Sequence, residues 1–288
     1  MTSNHFIAPQ KQMTGMFGHP VAENPIDQMF DAVYQHYGLN WQFWKMNIKS
    51  SLEMPAAIAG AKAMGFAGFC ITVPYKIDVV GMLDGFDDDV RVIGAANYVT
   101  FEEGRMIGHN NDGKGVVGAI QKVTSIAGKR AVMLGAGGAG RAMAVEIARA
   151  GARHLTIMTR RESQGVEVAD MVQRATGIPT EWVLWTGNVP LPEGTQILLN
   201  ATHLGALPAR EAVPIDWNTL SADATVVDVI TNPRMTPFLS TACAKGCSIV
   251  DGVDMLVQLA MQIFEAWTGI RPDENIFQKA VESALGEK

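Results

Sequence analysis

Arg130-Ala-Val-Met-Leu-Gly-Ala-Gly-Gly-Ala-Gly-Arg141 decides how the chain is read. The apolar run Ala131 to Leu134 reads as a buried strand and ends in Gly135-x-Gly137-x-x-Gly140. Arg141-Ala-Met-Ala-Val-Glu-Ile-Ala-Arg149 continues as a helix, closed at Ala150-Gly151, and His154 to Met158 is a second apolar strand. That is the strand, tight turn and helix of a dinucleotide-binding βαβ unit. Gly135 lets the chain turn sharply, Gly137 lets the backbone approach a pyrophosphate, and Gly140 lets helix pack on strand. The helix N-terminus then turns its N–H groups and positive end to the phosphate. Gly135, Ala136, Gly137, Gly138, Ala139 and Gly140 are thus the expected cofactor cradle, the plainer reading being a glycine turn with no cofactor.

Downstream, the alternation of strand and helix continues. Gln164 to Thr176 reads as a helix stopped by Gly177, Trp182 to Trp185 and Thr195 to Asn200 as strands, and Thr225 to Val229 as a buried strand. A helix over Pro237 to Lys245 and a strand over Ser248 to Val250 complete the unit. Two more helices, Asp254 to Trp267 and Pro272 to Leu285, are surplus to it and are expected to cross back onto what precedes it. Upstream, strands are expected at Thr14 to Phe17, Leu39 to Met46 and Gly68 to Val73, with helices over Pro25 to Gly38 and Pro55 to Met64. Tyr98 to Glu102 and Arg105 to His109 form a hairpin pattern around Glu103-Gly104. The expected class is α/β with two domains. One is an N-terminal substrate domain, residues 1–111 completed by 254–288. The other is a Rossmann dinucleotide-binding domain, residues 112–253.

At 288 residues the chain is long enough for two cores. Its net charge of −6 argues against nucleic-acid and anionic-membrane partners, so a small-molecule substrate is expected, on a monomer or homodimer. Cys70, Cys243 and Cys247 form no metal-binding pattern, and no metal is expected. With no long apolar run and no signal-like start, a reduced cytoplasmic setting is expected.

Two polar residues fall where the two expected domains meet. Lys76 ends Thr72-Val-Pro-Tyr-Lys76 directly after a strand, and Asp112 lies in Asn110-Asn-Asp-Gly-Lys114 before a helix. Alone, the first fits a solvated lysine and the second an Asx turn or N-cap. Together, an ammonium beside a carboxylate can move a hydroxyl proton and hold an alkoxide during hydride transfer at a secondary alcohol.

Across nearly its whole length the chain resembles the shikimate dehydrogenase family. The matching pieces are Gly18-His-Pro20, Thr72-Val-Pro-Tyr-Lys76, Ala95-Ala-Asn97, Asn110-Asn-Asp-Gly-x-Gly115, the glycine loop, Asn200-Ala-Thr202, Asp228-x-x-x-Asn-Pro233 with Thr236-Pro237, and Asp251-Gly252 with Met255-Leu-Val257. The resemblance implies that Lys76 and Asp112 are the catalytic pair and that Thr72, Asn97, Asn24 and Gln258 bind substrate. It adds Asn200, Ala201, Thr202, Val229 and Gly252 to the cofactor site. The implied reaction is reversible hydride transfer between NADPH and a cyclic keto or hydroxy compound, shikimate or a close analogue; for shikimate itself it belongs to aromatic amino acid biosynthesis, the chorismate pathway. The alternatives are a quinate or aminoshikimate-type dehydrogenase, or a non-catalytic sensor of NADP or a cyclic polyol, which would not need both Lys76 and Asp112.

Thr159-Arg160-Arg161 ends the second Rossmann strand, where NAD enzymes place an acid for the ribose hydroxyl. Two guanidinium groups suit a 2′-phosphate, and the triplet is similar to the family's NADP pattern, so NADP is the expected cofactor. The departures from the family cluster at one corner. The family's two serines for the shikimate carboxylate are missing from the shorter Val21-Ala-Glu23-Asn24-Pro25. The family's tyrosine before Asn-Pro is Thr231, its glutamine is Leu259, with Gln258 on the neighbouring helix face, and a glycine is Asp254.

Overall fold

A computed structural model describes residues 10–286; residues 1–9 and 287–288 of the expected division lie outside it. The first part contains β1 (Gln12–Gly18), α1 (Ile26–His36), β2 (Trp41–Asn47), α2 (Met54–Ala63) and β3 (Gly68–Ile71). It continues with β4 (Gly85–Phe86), α3 (Asp88–Ile93), β5 (Tyr98–Glu102) and β6 (Arg105–His109), and α4 (Asp112–Gln121) leads on into the second part. Its sheet runs β2-β1-β3-β5-β6-β4, parallel through β2, β1 and β3 and antiparallel from β3 through the β5–β6 hairpin.

The second part contains β7 (Arg130–Leu134), α5 (Gly138–Arg149), β8 (His154–Thr159), α6 (Glu162–Thr176) and β9 (Thr180–Leu184). After the short pair β10 (Val189–Pro190) and β12 (Ile215–Asp216) come, in sheet order, β11 (Ile197–Asn200), β13 (Thr225–Asp228), α7 (Pro237–Lys245) and β14 (Ser248–Val250). The all-parallel order β14-β13-β11-β7-β8-β9 is the Rossmann arrangement, and its direction reverses between β7 and β11. Both strands stop at that crevice, one in Gly135 and the other in Asn200-Ala-Thr202.

The last helices, α8 (Gly252–Thr268) and α9 (Glu274–Ala284), cross back as expected. α9 packs on α1, and α8 lies along α4 and against β5. An aromatic cluster seals this return: Phe277 meets Phe30 at 6.0 Å and Phe264 at 5.7 Å, and Trp267 meets Phe30 at 5.6 Å. Trp267 also donates its indole N–H to Val99 O at 3.0 Å, over Gly68, where no side chain would fit.

Some element bounds differ from the sequence expectation. β9 starts at Thr180 because pairing with β8 begins there, and Trp185 leaves the strand to bond Pro214 O. The segment between Lys76 and Tyr98 holds a 3-10 turn (Asp78–Met82), β4 and α3, each too short to show an apolar period. α3 is defined by its ends: Asp87 accepts from Val90 N at 2.8 Å, and Gly94 closes it at φ +70°.

Candidate active site

Lys76 and Asp112 meet where the two sheets face each other. Lys76 leaves β3 through the turn Thr72–Tyr75, and its carbonyl accepts from Ala96 N at 2.8 Å. Asp112 opens α4. The ammonium donates to Asp112 Oδ2, with the side chains 12% and 3% exposed. A pair so far withdrawn from water is held by the bonds around it. Asn97 Nδ2 donates to Asp112 Oδ1 at 3.0 Å and to Asn111 Oδ1 at 2.7 Å, and Asn97 Oδ1 accepts from Asn111 N at 3.0 Å. Asn110 Oδ1 accepts from Asp112 N at 3.1 Å, and Asn111 Nδ2 donates to Leu259 O at 2.9 Å. Behind the pair lies Cys70, whose thiol burial pushes well above its ordinary range, so it stays neutral.

The glycine loop stands against this pair. A Cβ on Gly138 would lie 2.8 Å from Lys76 Cβ, and one on Gly140 would lie 2.9 Å from Gly135 O. Gly135 takes φ +97°, and a Cβ there would press on Thr202 Cγ2 at 2.8 Å. Gly137 differs: a Cβ would meet nothing within 4 Å. It precedes α5, whose N-terminus has no side-chain cap, so the open space at Gly137 adjoins first-turn N–H groups without a side-chain partner. Arg160 and Arg161 are exposed at the end of β8, while Thr159 is buried, donating to Arg161 O at 2.8 Å and accepting from Trp182 Nε1 at 2.9 Å. Open space over uncapped N–H groups, with two guanidiniums at the next strand end, fits the diphosphate and 2′-phosphate of NADP.

A buried carboxylate ties the loops of the second sheet together. Asp228 Oδ1 accepts from Asn200 Nδ2 at 3.1 Å and from Ile230 N at 3.2 Å, and Oδ2 accepts from Thr236 Oγ1 at 2.6 Å. Asn200 in turn bonds Leu204 O and the N–H and hydroxyl of Thr202. Burial pushes Asp228 up to about 6 despite these donors.

Beside Thr72 opens a cavity of about 650 Å³. Met16, Glu23, Asn24, Thr72 and Val73 line it from the first sheet, and His203, Glu211, Val229, Thr231 and Asn232 from the second. Asn24 also accepts from Ile26 N at 3.0 Å and so fixes the start of α1.

These features have close counterparts in known proteins. The model of the shikimate dehydrogenase substrate binding domain matches residues 16–99. The shikimate dehydrogenase (NADP(+)) of Methanococcus maripaludis is 34% identical over 97% of this chain and all of its own length. The chain belongs to the shikimate dehydrogenase family. Among solved structures, a shikimate dehydrogenase bound to NADP+ superposes with a TM-score of 0.86 at 28% identity, covering 96% of both chains. The 5-ketofructose reductase of Gluconobacter sp. strain CHM43, without ligand, has a TM-score of 0.86 at 40% identity, over 95% of this chain and 99% of its own.

Within this family frame, several expected site residues come together and others do not. Lys76, Asp112 and Asn97 gather beside the glycine loop, with Ala201 and Thr202 under Gly135, while Thr72 lies against Gly18 and lines the cavity. Gly252 lets α8 start against the loop after β13, since a Cβ would fall 2.3 Å from Ile230 O, and Val229 lines the cavity. Gln258 is a correction. It lies on the α4 and α9 side of α8, beside Gly118, and its amide donates to Glu274 Oε1 at 3.0 Å. One residue of helical rotation, about 100°, separates it from Leu259, which faces Gly115 and Asn111. Asn97 is also more occupied than expected, because both protons of its amide are committed to Asn111 and Asp112. Sequence reasoning left out Asn111, although its motif was in view. It also left out Glu211 and Asn232, which line the cavity only through tertiary packing, and Lys45, which holds the turn before Pro25.

Proposed function

We propose that this protein reversibly transfers hydride between NADPH and the carbonyl of a compact polyhydroxylated compound, in the manner of its shikimate dehydrogenase relatives. The observation that carries the reading is the buried Lys76–Asp112 pair, set directly against Gly138 of the glycine loop. Residues 1–111 with 254–288 act as the substrate side, and residues 112–253 as the cofactor side.

Bound NADPH supplies the hydride. As negative charge develops on the carbonyl oxygen, Lys76 Nζ hydrogen-bonds to it and gives up a proton, yielding the alcohol. In oxidation the same nitrogen takes the hydroxyl proton. Asp112 keeps the ammonium in place and offsets its charge, and Asn97 with Asn111 keeps Asp112 from turning. Thr72 and Asn24, on the cavity wall, receive substrate hydroxyls. The glycine loop and α5 N-terminus hold the diphosphate, and Arg160 with Arg161 holds the 2′-phosphate. The assignment of NADP is supported by relatives named for it, such as that of Methanococcus maripaludis, and by the relative solved with NADP+.

The test is NADPH oxidation at 340 nm with a panel holding 3-dehydroshikimate, 3-dehydroquinate and 5-ketofructose, with Lys76→Ala alongside. Turnover of at least one ketone, lost in Lys76→Ala, is expected. No NADPH consumption with any of them, despite bound NADPH, would leave the sensor reading in place instead.

A further inference from the structure

We propose that Glu23 selects the substrate: with Glu211 on the facing wall, it makes the far end of the cavity fit an uncharged polyhydroxylated ketone and reject a carboxylate. This rests on the hydride-transfer reading above.

Among the described residues, the cavity is lined by two carboxylates, Glu23 and Glu211, and by no lysine or arginine. Lys45, which reaches the Ala22–Asn24 turn, is committed to backbone and to Asp27. Its Nζ donates to Ala22 O at 3.0 Å and Asn24 O at 2.9 Å and pairs with Asp27 Oδ1 at 3.0 Å, on a side chain only 16% exposed. Those carbonyls flank Glu23, so Lys45 shapes the turn that presents the carboxylate. From the opposite wall Asn232 Nδ2 donates to Glu23 O at 3.3 Å. The backbone of Glu23 is thus held from both sides of the cleft, while its side chain is left at the cavity.

An ionised carboxylate only accepts hydrogen bonds, and two neighbouring hydroxyls of a polyol can supply both donors. A substrate carboxylate at this end would instead face like charge. That repulsion grows as bound substrate displaces water from the cavity. His203 and Asn232 add groups that can donate to or accept from further hydroxyls.

The experiment compares kcat/KM for shikimate and its uncharged methyl ester with NADP+, and for 5-ketofructose with NADPH, in wild type, Glu23→Gln and Glu23→Ala. Thermal melts confirm folding; Glu23 is exposed, so little change in melting temperature is expected. Wild type is expected to favour the methyl ester over shikimate by at least about tenfold, and Glu23→Gln to raise kcat/KM for shikimate by about tenfold. Both variants should weaken 5-ketofructose, chiefly through KM. A wild type that prefers shikimate to its ester, or a preference unchanged in both variants, would overturn the proposal and leave the oxidoreductase reading intact. Absence of turnover with all three compounds would overturn that reading, and this proposal with it.

Discussion

Lys76 pairs with Asp112 away from water, so its replacement removes the proton donor and leaves the Asp112 carboxylate without its counter-ion. Lys76→Ala should lower kcat by at least about 100-fold with a smaller change in KM, the scale of a lost acid-base group. Asp112→Asn should be similarly damaging, because the amide cannot offset the ammonium. Steady-state kinetics on both variants checks this; near-wild-type kcat in Lys76→Ala would return that lysine to a structural role. Asp228 gives a pH prediction. Its folded pKa, about 6, lies above the ordinary carboxylate value. Between about pH 4 and 6 the folded state keeps a proton that the unfolded state has released, so this group's contribution to stability falls as pH rises through 6. Asp228→Asn can keep the bonds to Asn200, Ile230 and Thr236 without the charge. Melting temperatures at pH 5 and pH 8 should show the variant gaining on wild type at the higher pH, by about 1.4 kcal/mol, the part of the shift that lies above pH 5. A gain that shrinks as pH rises would contradict the account.

At the scale of elements, the strand–turn–helix around β7 and α5 separates glycines that serve packing from one that serves a ligand. Gly140→Ala would drive a methyl into Gly135 O and should lower the melting temperature. Gly137→Ala meets only open space at φ −74°, so it should melt like wild type while losing at least about tenfold in NADPH affinity by fluorescence titration. Equal NADPH affinity in Gly137→Ala would move the diphosphate elsewhere. Replacing Arg160 and Arg161 by alanine should weaken NADPH far more than NADH, since only the former carries the 2′-phosphate. This much was legible in the sequence because glycine spacing, strand ends and the Thr159-Arg160-Arg161 triplet are local signals. Gln258 was misplaced for a related reason: a helix face is decided by what packs on it, and here α4 and α9 set the rotation of α8.

The whole molecule depends on the return of α8 and α9 to the first sheet. Phe277 is fully buried between Phe30 and Phe264, and Phe277→Ala should cost about 3–5 kcal/mol in chemical denaturation. That return was expected from two helices left over after the Rossmann unit. The cavity was not, because its walls come from loops far apart in the chain, joined by Asn232 and Glu23 across 209 residues through a contact that leaves no pattern in either loop. Its missing serines could be read from the sequence, and what replaced them required the packed structure.

The central claim is that the Lys76–Asp112 pair serves hydride transfer across the cleft between the two sheets. The most direct measurement is single-turnover reduction with NADPH carrying deuterium at both C4 positions of the nicotinamide, following the label by mass spectrometry in wild type and Lys76→Ala, with NADPH affinity measured for both. The account predicts one deuteron on the new carbinol carbon in wild type. In Lys76→Ala it predicts label transfer at least about 100-fold slower at unchanged NADPH affinity. Label transfer at the wild-type rate in Lys76→Ala, or product without label, would contradict it.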